Sequence, residues 1–565
     1  MRIEAMHHRP MSNYAFLTAL DELCVRFRTA KKDISEVILH YGVKFDWGNK
    51  TYAPMKRVAT DQYYDYYEYL IKTSDMRIGY YFEVKDDYSS IYYTEAGVQH
   101  EFSDDIAHCL YYQYPSAHTD DLVDAPKWYQ EATFYQIFVE RFANGDDSIS
   151  PSNKVAWDSL PTPKSFYGGD IIGITNHLDY LHNLGITAIY LTPIFESESN
   201  HKYDTIDYMQ IDSHFGTKED FKTLVQTAHE KGIHIILDAV FNHCSENFAL
   251  FKDVCEKGAA SSYKDWFYIH DFPVRKDPPN YDTFATVGYM PRFRTEHKEV
   301  QEYFFSVVEY WTREFGIDGW RLDVSDELSH DFLRKLRNRI KEIDKNLVLV
   351  GENWHDSNAW LQGDQFDSVM NYGLTFRTTS FFAKGKLSCQ EFTNQLSTLL
   401  MSYSDTVNHQ MFNLLDSHDT ERFLYLAGED EKKLRNAAAF LYGYVGVPCI
   451  FYGTELGLTG GYDPGCRVGF PWDQTKWNQS LLSYFKRLIL LRRTQKALLH
   501  GNIAFYSTED IFIAKRTYED ESIYVVINPT NQSLPIPSAV KARYDLIRDG
   551  MIGAYLEPES AYYLK

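Results

Sequence analysis

The sequence predicts an α/β protein: a (β/α)8 TIM barrel with a small inserted domain after its third strand, flanked by an N-terminal β-sandwich and a C-terminal β-sandwich. Three observations carry this reading. Between residues 125 and 500, eight apolar strand candidates alternate with helical patterns over roughly 350 residues, the rhythm of a closed parallel barrel. Residues 1–124 and 501–565 instead read as strands broken by turns. No G-x-G-x-x-G follows the first strand of the alternating region, which disfavours a doubly wound sheet.

In chain order, the N-terminal strands are 23–30, 35–42, 76–84 and 89–97. Their size and spacing suit a sandwich, and the boundary falls near "DAPKWYQEA" (124–132), where Pro126 interrupts. The barrel strands are expected at 133–142, 186–195, 234–243, 317–324, 347–354, 367–372, 411–419 and 448–455. Helical periodicity lies between most of them. In 218–232, Phe221, Leu224, Val225 and Ala228 fall on one face and Gly232 supplies a stop. Residues 329–346 and 484–494 are similar. The stretch 244–296 is too long for a βα loop and lacks a clear period, so it reads as an inserted subdomain. Strands return at 510–518, 522–530 and 560–565.

Composition narrows the chemistry. The chain carries 57 basic and 79 acidic residues, a formal charge of −22, which argues against nucleic acid or an anionic membrane as partner. Aromatic residues make up 16%, with 44 Tyr and 10 Trp; such rings suit sugar stacking, although β-rich domains also use Tyr in strands. Seven scattered cysteines without a C-x-x-C pair suggest a reduced compartment and no zinc site. With no signal-like start and no long apolar run, a cytoplasmic location is expected.

The ends of the strands are polar. The third ends in Asp238, Asn242 and His243, the fourth in Arg321 and Asp323, the fifth in Glu352, and the seventh in His418 and Asp419. Barrel sites sit at the carboxyl ends of the strands, so one rim would collect these groups. Crowded carboxylates cost stability, and acid/base chemistry is what demands them. Glycoside cleavage needs one ionised and one protonated carboxyl. Arg321, two residues before Asp323 on the same strand face, should hold that aspartate ionised as nucleophile. Glu352, between apolar "LVLVG" and Trp354, has the drier setting of an acid/base.

"DAVFNH" (238–243), "GWRLDVSDE" (319–327), "GENW" (351–354) and "LLDSHD" (414–419) resemble, in order and spacing, the four signature regions of the α-amylase family, glycoside hydrolase family 13. "GGDIIGI" (168–174), "NHKYDTIDY" (200–208), "MPRF" (290–293) and the opening "MHHRPMSNYAF" extend the likeness to the neopullulanase, cyclomaltodextrinase and maltogenic amylase group. The resemblance implies a retaining hydrolase of α-1,4 links in cyclodextrins, pullulan or short maltooligosaccharides, with transfer to a sugar acceptor in competition. Asp323 matches the nucleophile, Glu352 the acid/base and Asp419 the third carboxylate. His243, His418 and Arg321 match groups around the cleaved sugar, and Tyr203 its aromatic platform. Asp463 and Arg467 resemble a pair on neighbouring sugars, and Trp354 and Glu327 the acceptor side. A homodimer is implied, with the N-terminal module either a dimerisation arm or a starch-binding module.

Two departures stand out. The family's calcium pattern, like N-G-D-x-x-N-D, reads here "NGDDSISP" (144–151). Asn144 and Asp146 are present and Asp170 would be a further ligand, but Ile149 cannot bind a hard cation, which argues against calcium. No organic cofactor is implied. The other departure is Arg292 where the group usually has lysine; charge is kept and geometry is not. The rival readings are an α-1,6-glucosidase or trehalose-forming transferase on the same barrel, and a non-catalytic glucan-binding barrel, which the three intact carboxylates disfavour.

Overall fold

The computed structural model describes residues 1–565 apart from 104 and 106–109. Cys109 therefore lies outside the described residues.

Eight short parallel strands form the central wall: β1 (Phe134–Ile137), β2 (Ala188–Leu191), β3 (His234–Ala239), β4 (Gly319–Leu322), β5 (Val348–Gly351), β6 (Ser368–Val369), β7 (Phe412–Leu414) and β8 (Val447–Phe451). Their order runs β6-β5-β4-β3-β2-β1-β8-β7. The remaining gap is closed by one parallel bridge from Met370 to Phe412, where the Asn371 N–H meets the Phe412 carbonyl at 2.8 Å. The strands are shorter than their apolar runs because the run continues into the rim turn. Residues 139–142, for example, turn into a helical segment instead of continuing β1.

Each strand points alternate residues inward. The inward set packs in layers of Phe134, Ala188, Tyr190, Ile236, Val348, Val350, Phe412 and Leu414. The outward set meets the helices. Helix Lys218–Glu230 buries Phe221, Leu224, Val225 and Ala228, the face its period predicts, and Thr217 caps its start. Helices His330–Ile343 and Gln479–Thr494 also appear where expected, within a few residues. Helix Lys298–Phe315 was not foreseen. It buries Val300, Phe304, Val307, Val308 and Trp311, a clear 3.6-residue stripe. The inserted stretch 244–296 contains one α-helix, Ala249–Lys257, an internal bridge Phe267–Phe293, and a bridge that ties it back at His243–Arg292.

The N-terminal domain is a sandwich of two antiparallel sheets around Leu23, Val25, Phe27, Leu39, Phe82 and Val84. Strand Glu22–Ala30 is buried on both faces because its other side meets the barrel. There Arg26, fully buried, donates to the carbonyls of Met401 and Tyr403 and pairs with Glu68 at 2.6 Å and Asp405 at 3.3 Å. At the other end, a six-stranded antiparallel sheet begins with Asn502–Ser507 and packs Phe512, Val525 and Tyr563 against the barrel helices. Its outer face carries a small second layer, the pair Leu534–Pro535 with Tyr555–Leu556, over Ile513, Val526 and Leu564.

Candidate active site

The inward faces of the strands change character along their length. Apolar near the start, they become polar toward the carboxyl end: Gln136 on β1, Asp238 on β3, Arg321 on β4, then Asp323 and Glu352 just beyond β4 and β5. All five are at most 6% exposed. The ladder places Asp238 beside Arg321 and Arg321 beside Val350, so three strands deliver their charges to one point.

Arg321 organises that point. Its Nη1 donates to both oxygens of Asp238 at 2.9 Å and to Asp323 Oδ1 at 3.0 Å. Its Nη2 lies 2.8 Å from Glu352 Oε1. The planar fork suits this many-sided pairing, which a lysine could not reproduce. One guanidinium thus serves three carboxylates, and this changes the expected electrostatics. Burial, followed by the Glu352 charge, pushes the Asp323 carboxyl well above its usual range, and Arg321 only opposes them. Arg321 acts on Asp323 in the expected direction, toward the ionised form, but its charge is also divided among Asp238 and Glu352, which arrive on other strands.

The turn after β4 is strained. Val324 has φ 45° and ψ 45°, a left-handed conformation that a β-branched residue adopts only at a cost. The strain aims the Val324 N–H at Glu352 Oε2, 2.9 Å away. Behind the two carboxylates, buried Ser325 donates to Asn353 Oδ1 at 2.6 Å and sits 3.1 Å from the Glu352 carbonyl. The chain following the Asp323 strand is thereby tied to the chain carrying Glu352.

His418 and Asp419 enter from the turn beyond β7. The Gln136 amide donates to His418 Nδ1 at 2.6 Å, which leaves the ring proton on Nε2, 3.0 Å from Asp419 Oδ2. Burial first, then Arg467 and Arg321, keep His418 well below its usual range and neutral. Asp419 keeps 29% of its side chain open to the cleft. Surrounding protein, then the Glu352 charge, pushes its carboxyl up to about 7. Tyr203 stacks parallel to His418, with centroids 5.4 Å apart, and its hydroxyl donates to Asp238 at 2.9 Å. Its loop is propped by buried Lys202, whose Nζ meets Asp212 at 2.6 Å. His243 is buried with Nε2 unpartnered, and burial pushes it down to about 3.

Two family descriptions match: "Alpha amylase, catalytic domain" over residues 136–486 and "Alpha amylase, N-terminal ig-like domain" over residues 1–118. The chain belongs to the α-amylase family. A cyclomaltodextrinase of Geobacillus thermopakistaniensis (strain MAS1) is 46% identical over 553 residues, 96% of this chain and 94% of that protein. Neopullulanase 2 of Thermoactinomyces vulgaris is 42% identical over 538 residues, 94% of this chain and 91% of that one. A solved cyclomaltodextrinase structure superposes with a TM-score of 0.94 at 39% identity, covering 100% of this chain and 98% of that chain. This member of the α-amylase family is accordingly a glycoside hydrolase.

Around the centre of this α-amylase-family barrel, Arg467 lies 2.8 Å from Asp463 and 3.3 Å from Asp419, so the pair joins the polar rim directly. Trp354 stacks on Tyr372 at 3.8 Å and 6°. Glu327 is more exposed and sits 3.6 Å from Arg292. Arg292 itself donates to Asn242 Oδ1 and to the Glu327 carbonyl, linking the inserted subdomain to the ends of β3 and β4. The 144–170 loop does not fit calcium. The Asn144 amide nitrogen donates to Ser150 Oγ and the Gly168 carbonyl, two oxygens a cation would need. Asp170 spends its carboxylate on the N–H groups of Gly145, Asp146 and Gly173, and Asp146 caps Ser148.

Several site groups were invisible to the sequence reading. Gln136, Tyr190 and Tyr372 look like core residues in apolar strands, yet Gln136 fixes His418 and Tyr190 donates to Asp238 at 2.5 Å. The available signal was the two-residue period, which puts Gln136 and Tyr190 on the inward face at one level.

Proposed function

We propose that the protein cleaves α-1,4-glucosidic bonds of cyclodextrins, short maltooligosaccharides and pullulan, with retention of anomeric configuration. The observation that carries this is the placing of Asp323 and Glu352 on adjacent nitrogens of one guanidinium. Carboxyls so near each other suit the closer spacing of retaining enzymes, about 5–5.5 Å, and leave no room for a water between the second carboxylate and the sugar. The relatives' names supply the substrate class.

In this reading Glu352 gives its proton to the glycosidic oxygen as that bond breaks. Asp323 attacks the anomeric carbon and forms a glycosyl ester. Glu352 then takes a proton from water, whose oxygen displaces Asp323. A sugar hydroxyl in place of water gives transfer. Asp419, neutral His418 and the free Nε2 of His243 offer hydrogen bonds to the sugar, and Tyr203 offers a stacking face. We read the protein as a cytoplasmic homodimer, with its cysteines reduced; sedimentation velocity tests the dimer.

Asp323→Asn is expected to lower kcat about 10³-fold or more while leaving folding and sugar binding largely intact. Near-normal turnover would overturn the assignment. Product analysis on β-cyclodextrin, pullulan and starch decides the substrate. Fast ring opening and α-anomeric products support the reading, and activity confined to α-1,6 links overturns it.

A further inference from the structure

We propose that the floor of the barrel, at the opposite end from the catalytic rim, holds a divalent transition-metal site of the zinc class built by His229, His234 and Asp318. His234 opens β3, Asp318 directly precedes β4, and His229 lies in the last turn of helix Lys218–Glu230. One ligand atom from each falls within 4.8 Å of the others. His234 Nδ1 is 2.6 Å from Asp318 Oδ1, and His229 Nε2 is 2.8 Å from Asp318 Oδ2.

The donors are held from behind. The Ile235 N–H binds Asp318 Oδ2 at 2.8 Å, which fixes the carboxylate plane. The indole of Trp128 stacks on the His234 ring at 4.0 Å, which fixes that imidazole. A third of the His234 side chain and 39% of that of His229 remain open to solvent, so an ion has access and a water can complete the coordination. Two imidazoles and one carboxylate are donors for zinc or cobalt, not for calcium or magnesium. In the metal-free protein, imidazole protons fill the space between the rings and the carboxylate. On binding, each neutral ring keeps its single proton by shifting it to the far nitrogen, and any second proton on His229 is released. A bound ion would cross-link the helix to the starts of β3 and β4. The six residues of β3 put it roughly 15–20 Å from the catalytic carboxylates.

Cobalt(II) is the direct probe. Titration of the metal-free protein should give the visible bands of a low-coordinate site at one equivalent, and zinc should raise Tm by about 1–3 °C. His229→Ala, at an exposed position that the fold does not need, should abolish both responses, as should Asp318→Asn. Bands that survive His229→Ala would place the metal elsewhere, on the catalytic carboxylates or surface histidines, and would overturn the proposal. So would an unchanged Tm in the native protein at saturating zinc.

Discussion

At the scale of single residues, the site is set by what Arg321 must share. The spacing of Arg321 and Asp323 was legible because two charges interrupt an apolar strand on one face. Their electrostatics were not, because Asp238 and Glu352 arrive from other strands and only the folded barrel adds them to the same guanidinium. Val324 shows a second limit: nothing in "LDVSDE" marks the left-handed turn that aims its N–H at Glu352. Val324→Gly should leave stability within about 1 kcal/mol, since relief of backbone strain offsets lost packing and added chain entropy. It should still lower kcat severalfold, because the N–H is no longer held on the carboxylate; steady-state kinetics beside a thermal melt checks both. Ser325→Ala should cost about 1–3 kcal/mol, since Asn353 already has a buried, unpartnered amide nitrogen and would lose its remaining bond. Denaturant unfolding measures that loss.

Among the elements, those with an uninterrupted signal were readable. Barrel strands buried on both faces give short apolar runs, and helix 218–230 has its cap, stripe and stop in sequence. Helix Lys298–Phe315 was hidden because it follows an irregular insertion and begins without a side-chain cap. N-terminal strand Tyr64–Lys72 escaped because its tyrosines alternate with charges and its second face is covered by another domain, not by water. That contact rests on Arg26. Arg26→Ala would strand Glu68 and the Tyr403 carbonyl in a dry interface, at a cost of about 3–5 kcal/mol. Calorimetry should then resolve an early transition for the N-terminal domain. The 144–170 loop is closed by amide hydrogen bonds. Calcium added to the metal-free protein should accordingly shift Tm by no more than about 1 °C, the reverse of what a calcium-held loop would show.

For the molecule as a whole, the order of domains and the barrel class followed from periodicity alone, whereas the way the wall closes did not. Its charge also has a collective consequence. Asp419 is pushed up to about 7 and Asp323 upward by burial and by Glu352. A raised carboxyl binds its proton more tightly folded than unfolded. Its contribution to stability is complete below the unfolded value near about 4 and is lost as pH rises toward about 7. Melts of Asp419→Asn against the native protein across that window should show a shallower fall for the variant. The closure between β6 and β7 has a further consequence. With one bridge, the wall there relies on the Asn371 side chain, which reaches Asn413 Oδ1 at 2.9 Å while its own oxygen caps the following helix. A joint made of so few backbone links is the natural point of first opening. In hydrogen–deuterium exchange the Asn371 amide should therefore be the earliest of the wall to take up label, so that the ring breathes as a split cylinder hinged on its opposite side.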